Sequence, residues 1–292
     1  MGEGHPECPE RLDAIADQLV ARGLMNLLVP YEAPVATVEQ LSRAHSALYV
    51  QELIARAPTQ GYVHLDPDTM MCPATLPAAL HAAGAAVLAT DLVMTREVTR
   101  AFCAVRPPGH HAMRDSAMGF CFFNNVAVGI RHALAVHGLD RVALADFDVH
   151  HGNGSEDILA KDDRVLMVST FQRDLYPFLG EPPLGGNMVN VALAPGSDGE
   201  GLRRAFEDVW LPRLDAFRPQ LLFISAGFDA HRTDEMGGLR WVDGDYAWIT
   251  RRLVEVAERH CAGRVISTLE GGYQQLALAR SVAAHVRELI GA

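Results

Sequence analysis

The sequence predicts an α/β protein built on an open, mostly parallel β-sheet with helices on both of its faces. After residue 100, short unbroken apolar runs alternate with helical patterns, as is typical of strands buried on both sides. Four of these runs lead directly into polar or glycine-rich stretches. Because ligands of such sheets bind at the carboxyl ends of the strands, the four stretches are expected to meet at one site.

Three helical stretches are predicted before the sheet begins. From Pro9 to Val20, apolar residues recur at helical spacing. The stretch 37–57 begins at Thr37, an N-cap residue, and Gln40 three residues later completes a capping box. The Ala-rich stretch from Thr75 to Val93 predicts a largely buried helix.

The strands and helices after residue 100 follow one another without a linker or an internal repeat, which predicts a single domain over residues 1–292. The predicted strands are unbroken apolar runs at 101–105, 141–147, 164–170, 188–193, 220–226 and 264–269. The predicted helices fall at about 124–137, 200–216, 244–261 and 275–290.

Composition excludes several classes of protein. The net charge of -11 and the absence of a basic run argue against a nucleic-acid partner. No apolar run approaches the roughly 18 residues of a membrane span, so no membrane partner is expected. The five cysteines are scattered, without a C-x-x-C pair, and no export leader is visible, which predicts a cytoplasmic protein without a disulfide framework.

Two D-x-H motifs at strand ends supply candidate metal ligands. Asp148 and His150 follow one strand, and Asp229 and His231 follow another. Two residues apart on nearly extended chain, such side chains turn to the same side and reach one ion. A catalytic zinc takes three protein ligands, so one of the four is spare, and the spacing leaves open which one. Two carboxylates and one imidazole suit Zn²⁺ or Fe²⁺.

Two further stretches carry candidate catalytic groups. The stretch "RPPGHHA" places His110 and His111 side by side. Beside an activated water, a pair of imidazoles supplies the base and the acid that amide or ester hydrolysis needs. The stretch "EGGY" presents Tyr273, whose hydroxyl is suited to donate a hydrogen bond to the oxyanion of a tetrahedral intermediate.

Together these motifs resemble the histone deacetylase superfamily, in particular the class II-like bacterial histone deacetylase-like amidohydrolases and the acetylpolyamine amidohydrolases. The matching stretches are "GHPECPERL", "RPPGHHA", "GFCFFNNVA", "DFDVHHGNG", "SAGFDAH" and "LEGGY", in family order across residues 4 to 273. The resemblance implies the single-domain arginase/deacetylase-like fold with about eight strands. Members carry a strand and a loop before the "GHPE" element, so the sequence is expected to begin after the family's first N-terminal strand.

The resemblance also assigns the site residues. Asp148, His150 and Asp229 match the ligands of one catalytic zinc, which leaves His231 spare. The tandem catalytic histidines and the carbonyl-polarising tyrosine match His110, His111 and Tyr273, and the partners of the two histidines match Asp146 and Asn153. A structural K⁺ site matches Asp146, Asp148, the backbone of His150, Ser169 and Thr170.

The implied activity is zinc-dependent removal of acetyl or other acyl groups from acyl-lysine side chains by a metal-activated water. His111, held by the neutral amide of Asn153, is predicted to act as general base and then general acid. His110, paired with Asp146, is predicted to be an electrostatic stabiliser.

The resemblance assigns the walls of an acyl-lysine channel to Gly119, Phe120 and Tyr176, with Met236 at its gate. A polyamine-selective enzyme is expected to carry an acidic gate residue that meets an internal ammonium, and Met236 is neutral, although Glu235 stands beside it. An acyl-lysine protein or peptide is therefore the predicted substrate, with an acetylated polyamine second. A homo-oligomer is compatible with the sequence.

Two other functions remain as alternatives. An arginase-like ureohydrolase binds two manganese ions and needs a carboxylate two residues after the histidine of D-x-H, where this sequence has Gly152. A non-catalytic acyl-lysine binder would have no need for His110, His111 and Tyr273 together with all three metal ligands. His151 has no assigned role beyond packing.

Overall fold

The computed structural model describes residues 1–2 and 4–291 and confirms the α/β class. Within that range the strands are β1 (Val63–His64), β2 (Met70–Met71), β3 (Arg100–Cys103), β4 (Val142–Asp146), β5 (Val165–Gln172), β6 (Met188–Leu193), β7 (Leu221–Ala226) and β8 (Val265–Leu269). The main sheet has six strands, all parallel, where about eight were expected. The six correspond to the six apolar runs of the sequence, whereas β1 and β2, which were not predicted, pair with each other as an antiparallel hairpin.

The order of strands in the sheet is β3-β8-β7-β4-β5-β6. The chain runs from β4 outward to β5 and β6, then returns to place β7 on the other side of β4. Strand order therefore reverses between β4 and β7, which creates a crevice at their carboxyl ends. The last residue of β4, Asp146, lies in register with Ser169 of β5 and Ser225 of β7.

The helices cover both faces of this sheet. Among the described residues they are α1 (Glu10–Ala21), α2 (Val38–Ser42), α3 (Ala47–Arg56), α4 (Thr75–Met94), α5 (Asn125–Val136), α6 (Asn153–Leu159), α7 (Gly199–Arg204), α8 (Leu211–Phe217), α9 (Asp243–His260) and α10 (Gln275–Ile290). A 3₁₀ turn over Leu24–Leu27 follows α1, and a π-helical segment over Ala205–Trp210 joins α7 to α8.

The stretch 37–57 forms two helices instead of one. The capping box is present: Thr37 N–H donates to Gln40 Oε1 at 2.8 Å, and Gln40 N–H donates to Thr37 Oγ1 at 3.2 Å. A second cap interrupts the helical pattern, because the Ser46 hydroxyl accepts from Tyr49 N–H at 3.3 Å and starts α3.

Each face of the sheet buries its own apolar cluster. Val142 and Leu144 of β4 pack with residues of α4 and α5, whereas Ala143 and Ala145 pack with residues of α9 and α10. This alternation follows from the period of two along a strand. Because both faces are covered, every residue of β4 is buried, which is why its sequence is an unbroken apolar run until Asp146.

Helix α4 is long and apolar enough to cross a membrane by length and composition, contrary to the expectation from the sequence. Of its most apolar window, 56% is buried inside the protein, and the helix packs against α5 and β3. A Cβ atom on Gly84 would lie 1.8 Å from the carbonyl oxygen of Pro34, so the preceding loop crosses the helix at van der Waals contact. These contacts are those of a core helix.

Candidate active site

Three candidate metal ligands meet at the crevice between β4 and β7. Asp148, His150 and Asp229 are buried, and each offers one ligand atom within 4.8 Å of the others. His150 Nδ1 lies 3.0 Å from Asp148 Oδ1 and 3.3 Å from Asp229 Oδ2. Asp148 and Asp229 are 81 positions apart in the sequence, and they meet because their strands are neighbours at the point where strand order reverses.

One carboxylate oxygen of this group lacks a well-placed hydrogen-bond donor. Asp148 accepts from the backbone N–H of His150 and of Gly271, each at 2.9 Å, and Asp229 Oδ1 accepts from Val149 N–H at 3.0 Å. Asp229 Oδ2 is buried and, apart from the approach of His150 Nδ1 at 3.3 Å, meets no hydrogen-bond donor in the described ranges. Leaving a carboxylate oxygen buried and unpaired is unfavourable, and a divalent cation held by these three side chains would satisfy it.

The second histidine of the two D-x-H motifs lies outside this group. His231 Nε2 is 3.3 Å from Asp243 Oδ1, and His231 Nδ1 is 2.9 Å from the hydroxyl of Thr233. The group of converging ligand atoms accordingly contains Asp229 without His231. The chain turns after Asp229, so the equal spacing of the two motifs does not give them equal geometry.

The site carries an excess of negative charge. Asp146, Asp148, Asp229 and Glu270 are at most 1% exposed, so four carboxyl groups are shielded from water. Burial and the charge of Asp148 raise the pKa of Asp229 to about 6. Burial opposes the protonated form of His150, yet Asp148 and Asp229 raise its pKa to about 10. Such a group is a favourable place for a cation.

The adjacent histidines have different partners. His110 Nδ1 lies 3.1 Å from Asp146 Oδ2, whereas His111 Nδ1 lies 2.7 Å from the amide oxygen of Asn153. Their ring centroids are 4.1 Å apart. Although burial opposes its charge, Asp148 and Asp146 raise the pKa of His110 to about 10. Burial and the charges of His110 and His150 lower the pKa of His111 well below its ordinary value. One ring is held charged and the other neutral.

Gly152 has a steric reason to be glycine. A Cβ atom at this position would lie 2.3 Å from Asp146 Oδ2 and 3.2 Å from His110 Nδ1. Any side chain would therefore displace the hydrogen bond between His110 and Asp146. A carboxylate here, as the dinuclear manganese pattern requires, has no space.

Tyr273 is held by a cation–π contact to its ring and by a hydrogen bond from its backbone. The guanidinium of Arg11 lies 4.9 Å from the centroid of its ring, and the Tyr273 N–H donates to Asp234 Oδ2 at 2.6 Å. Burial raises the pKa of its hydroxyl well above the ordinary value; Arg11 opposes this, and Asp229 and Asp148 add to it. The hydroxyl is therefore protonated and able to donate.

Two buried charged residues that support the site were missed by sequence reasoning. Glu270 Oε2 accepts from the N–H groups of Gly109 at 2.7 Å and of His110 at 3.1 Å, and burial raises its pKa to about 7. Arg11 is fully buried and donates to the carbonyl oxygens of Glu270 at 2.6 Å and of Gly272 at 2.7 Å. The available signal was the presence of a charged residue in "LEGGY" and in "GHPECPERL", stretches already singled out.

The predicted channel residues border the histidines and Tyr273. The Phe120 and Tyr273 ring centroids are 5.9 Å apart, and Tyr176 lies 5.3 Å from the His111 ring. Gly119 has a φ of 55°, and a Cβ atom there would lie 2.5 Å from His111 Cδ2, so only glycine allows this approach. Met236 is half-buried, and its N–H donates to Asp234 Oδ1 at 3.1 Å.

The hairpin of β1 and β2 holds this wall, which the sequence did not predict. Asp68 Oδ1 accepts from Gly119 N–H at 3.2 Å, and the Thr69 hydroxyl accepts from Phe120 N–H at 3.0 Å. Burial and neighbouring Asp66 raise the pKa of Asp68. A turn-forming "DPDT" at residues 66–69 was the available signal.

The residues predicted for K⁺ lie along β4 and β5. The Ser169 and Thr170 hydroxyls are buried and have no hydrogen-bond partner within residues 1–2 and 4–291. Because Ser169 is in register with Asp146 in a parallel pair, the two side chains face the same side of the sheet. Thr170 faces the other side, so its contribution to an ion beside Asp146 would come from its backbone.

His151 has a definite partner besides its packing. Its ring lies 4.7 Å from that of Phe171, and its Nε2 lies 2.7 Å from Glu156 Oε2. His151 and Glu156 are both buried. Glu156 Oε1 also accepts from Leu184 N–H and from Asn190 Nδ2, each at 2.9 Å, which ties the loop before β6 to α6.

Comparison with known proteins identifies the family. The model of the histone deacetylase domain matches residues 5–289, so the chain belongs to the histone deacetylase family, as the motifs indicated. A probable deacetylase of Archaeoglobus fulgidus is 39% identical over 92% of this chain and 76% of its own length. The histone deacetylase-like amidohydrolase of Pseudomonas aeruginosa is 37% identical over 99% of this chain and 77% of its own length.

Two further relatives extend the comparison. The polyamine deacetylase HDAC10 of Mus musculus is 37% identical over 98% of this chain and 45% of its own length. The crystal structure of the HDA15 HD domain superposes with a TM-score of 0.94 at 34% identity, covering 100% of this chain and 84% of that one. Family membership and these relatives together support a deacetylase, an amide-cleaving hydrolase.

Proposed function

We propose that this protein is a zinc-dependent deacetylase that removes acetyl or longer acyl groups from lysine side chains of proteins or peptides. The observation that carries the proposal is the pair of adjacent histidines, one held by a carboxylate and the other by an amide, beside three converging metal ligands. An unprotonated imidazole can act as the general base of amide hydrolysis, and a charged group beside it can stabilise the negative charge that develops.

Asp148, His150 and Asp229 would hold the metal. When bound, the ion would polarise the amide carbonyl and lower the pKa of a water molecule beside it. The unpaired oxygen of Asp229 and the mixed nitrogen and oxygen donors support Zn²⁺, and the same donor set accepts Fe²⁺.

His111 is suited to move the proton. Its Nδ1–H donates to the Asn153 amide oxygen, so the lone pair is on Nε2, where it can accept a proton from the attacking water. Its lowered pKa keeps it neutral before that step, and the resulting imidazolium can protonate the leaving amine. His110, charged and held by Asp146, stabilises the negative charge that develops next to it.

Tyr273 completes the site as a hydrogen-bond donor. Its raised pKa keeps the hydroxyl protonated at neutral pH, so it can donate to the oxygen of the amide carbonyl as charge builds there. The ring contact with Arg11 and the backbone hydrogen bond to Asp234 restrict its position before substrate arrives.

The predicted K⁺ site rests on Asp146, Asp148, the backbone of His150, Ser169 and Thr170. The unsatisfied Ser169 hydroxyl, on the same side of the sheet as Asp146, supports a cation there. Hard oxygen donors suit an alkali cation better than a transition metal. Such an ion would hold the end of β4, and therefore Asp148, in place.

The channel walls support an acyl-lysine substrate. Phe120 and Tyr176 provide aromatic surfaces for an apolar stem, and the gate residue Met236 brings no charge. A second candidate substrate is an acetylated polyamine, because negative charge lies beside the channel wall. Burial raises the pKa of Tyr176, and the nearby carboxylates of Asp68 and Asp66 raise it further. These two carboxylates would attract a cationic substrate, and one relative is named a polyamine deacetylase.

A side-by-side rate comparison tests the proposal. We expect acetate release from an acetyl-lysine peptide to exceed release from acetylputrescine and acetylcadaverine, and to disappear with a hydroxamate chelator. Faster turnover of the acetylated diamines would establish the polyamine alternative. No turnover of any acylated amine would favour the non-catalytic binder.

Metal counting separates the proposal from a ureohydrolase. The active centre is expected to hold one ion, removed by substitution of Asp229. Two manganese ions bound at that centre, both lost in an Asp229→Asn variant, would contradict the deacetylase.

A further inference from the structure

A second group of metal-ligating side chains lies outside the active site. Asp91 of α4 faces His132 of α5 and His137, the residue that follows α5. Asp91 Oδ1 lies 2.9 Å from His132 Nε2 and 2.7 Å from His137 Nε2. Each residue offers one ligand atom within 4.8 Å of the other two. Two imidazoles and one carboxylate that converge from one side form a common ligand set for a first-row divalent metal.

The group lies at the other edge of the sheet from the active site. At its first turn, α5 contacts the loop of the catalytic histidines, where Asn125 Nδ2 donates to the carbonyl oxygen of Pro107 at 3.1 Å. His132 and His137 follow Asn125 by 7 and 12 residues, which places them roughly 10 Å and 18 Å further along the axis of α5. An ion bound there would be distinct from any ion at Asp148.

Two helix ends favour a cation at this position. Asp91 is in the last turn of α4, which ends at Met94, and His137 directly follows the last residue of α5. The carboxyl end of a helix carries partial negative charge from its unsatisfied carbonyl groups. Both ends therefore add to the charge of Asp91 in attracting a positive ion.

The two imidazoles are fixed and the carboxylate is accessible. The side chains of His132 and His137 are 6% and 18% exposed, whereas that of Asp91 is 45% exposed. Solvent can reach the remaining coordination position from the side of Asp91.

We propose that Asp91, His132 and His137 form a second binding site for Zn²⁺ or a similar divalent transition-metal ion, with water in the remaining position. Ligands from α4 and from the end of α5 would make the ion a clamp between the two helices. The ion has no part in the proposed hydrolysis, because none of its ligands contacts Asp148, His150, Asp229 or the two catalytic histidines.

A hydrogen bond from Arg43 to His132 competes with metal binding at the proposed site. Its Nη1 donates to His132 Nδ1 at 2.7 Å, which leaves the His132 proton on Nε2, directed at Asp91. Metal binding at Nε2 requires the proton to move to Nδ1, where it would meet the Arg43 donor. Arg43 Nη2 already donates to Glu39 Oε1 at 2.9 Å, so Arg43 has a second partner when it leaves His132. The hydrogen bond from Arg43 to His132 is therefore expected to weaken metal binding without preventing it.

Zinc stoichiometry tests the proposal. The full-length protein is equilibrated with excess Zn²⁺, dialysed against micromolar Zn²⁺, and analysed by mass spectrometry for zinc per chain. We expect Asp91→Asn to bind one ion fewer than the wild type, because the amide oxygen still accepts both hydrogen bonds but the anionic ligand is lost. This difference of one ion is independent of the active site, which is tested separately with Asp229→Asn.

Asp215 offers a matched control. Its Oδ1 lies 2.7 Å from His260 Nε2 and accepts from Arg259 at 3.1 Å, so it is a surface carboxylate with a single imidazole. We expect Asp215→Asn to leave the zinc count unchanged and Asp91→Asn to leave deacetylase turnover unchanged. Equal zinc counts for the wild type and Asp91→Asn would overturn the proposal, whatever the count for Asp229→Asn.

The competition by Arg43 supplies a test in the opposite direction. Arg43→Met keeps an apolar stem and removes the donor that opposes the proton on His132 Nδ1. Because partners of the distal imidazole nitrogen change metal affinity by about 10- to 100-fold, we expect calorimetric titration to show about tenfold tighter binding. Unchanged or weaker binding in Arg43→Met would mean that His132 does not ligate the ion.

Discussion

The two groups of metal-ligating side chains use the same residue types in opposite surroundings. Asp148, His150 and Asp229 are buried among further carboxylates, and one oxygen of Asp229 lacks a well-placed hydrogen-bond donor among the described residues. In the second group, Asp91 Oδ1 has two imidazole partners and an accessible side chain. An active centre keeps unsatisfied charge for a ligand, whereas the second group satisfies its own charge and needs a proton shift before it can bind an ion.

The largest expected difference between the two groups is in turnover. Substituting His111 by Ala removes the proposed base beside the buried group, and we expect kcat to fall by about 10²- to 10⁴-fold. His137→Ala, in the second group, is expected to leave kcat within about twofold. Acetate release from an acetyl-lysine peptide measures both. Near-normal turnover in His111→Ala together with its loss in His110→Ala would reverse the roles given to the two histidines.

Gly152 allows the carboxylate of Asp146 to reach the imidazole of His110, and an added side chain tests whether this close contact is needed. Gly152→Ala places a Cβ atom 2.3 Å from Asp146 Oδ2, so the hydrogen bond to His110 must lengthen. Overpacking of this kind costs about 1–3 kcal/mol of stability, and we expect a loss of kcat of about tenfold or more. Gly244→Ala, in the first turn of α9, where no atom lies within 4 Å of the added Cβ and φ is not positive, is the control for adding a methyl group at a glycine. Equal activity of the two variants would contradict the steric role of Gly152.

Substitution of Glu270 tests whether this buried carboxylate holds the backbone of the histidine loop or contributes to metal binding. Its side chain accepts from the N–H groups of Gly109 and His110, and Ser225 Oγ donates to its other oxygen at 3.2 Å. In Glu270→Gln one of these acceptors can become a donor, so we expect kcat to fall by about tenfold with little change in KM, and zinc content to stay at the wild-type value. Loss of zinc together with activity would mean that Glu270 acts on the metal site.

The smallest predicted effect concerns an imidazole without a carboxylate partner. Burial lowers the pKa of His285 to about 3, and its two nitrogens face the hydroxyls of Thr250 and Ser267 at 2.6 and 2.8 Å. In the unfolded chain a histidine has a pKa of about 6.5, so this stabilising contribution is complete above that pH and is lost as the pH falls towards 3.

Urea unfolding measures this loss. Between pH 7.5 and 5, His285 by itself is expected to reduce the free energy of unfolding by about 2 kcal/mol. We expect His285→Gln to lose less stability over this interval than the wild type, whereas His81→Gln, at an exposed position of α4, keeps the wild-type dependence. Identical pH dependence in His285→Gln and the wild type would show that the folded protein protonates His285 as readily as the unfolded chain does.

Much of the fold was predictable because its strands and helices are local patterns. Helix α10 begins and ends where the periodicity predicts, and β6 matches its apolar run residue for residue. The hairpin of β1 and β2 was not predictable, because each of its strands has two residues and no alternation can be recognised over that length. The six apolar runs correspond to the six strands of the main sheet, and the larger count of about eight came from the family resemblance.

By itself, the sequence determined the chemistry available at each strand end: a D-x-H spacing, two adjacent histidines and a tyrosine after two glycines. Each of these motifs lies within a few consecutive residues. The tertiary structure decided which of these groups meet. It brought Asp229 to Asp148 and turned His231 towards Asp243, gave His110 a carboxylate and His111 an amide, and placed Glu270 against the histidine loop. The physical reason is that distances between residues far apart in the chain depend on strand order and burial, which the local spacing does not contain.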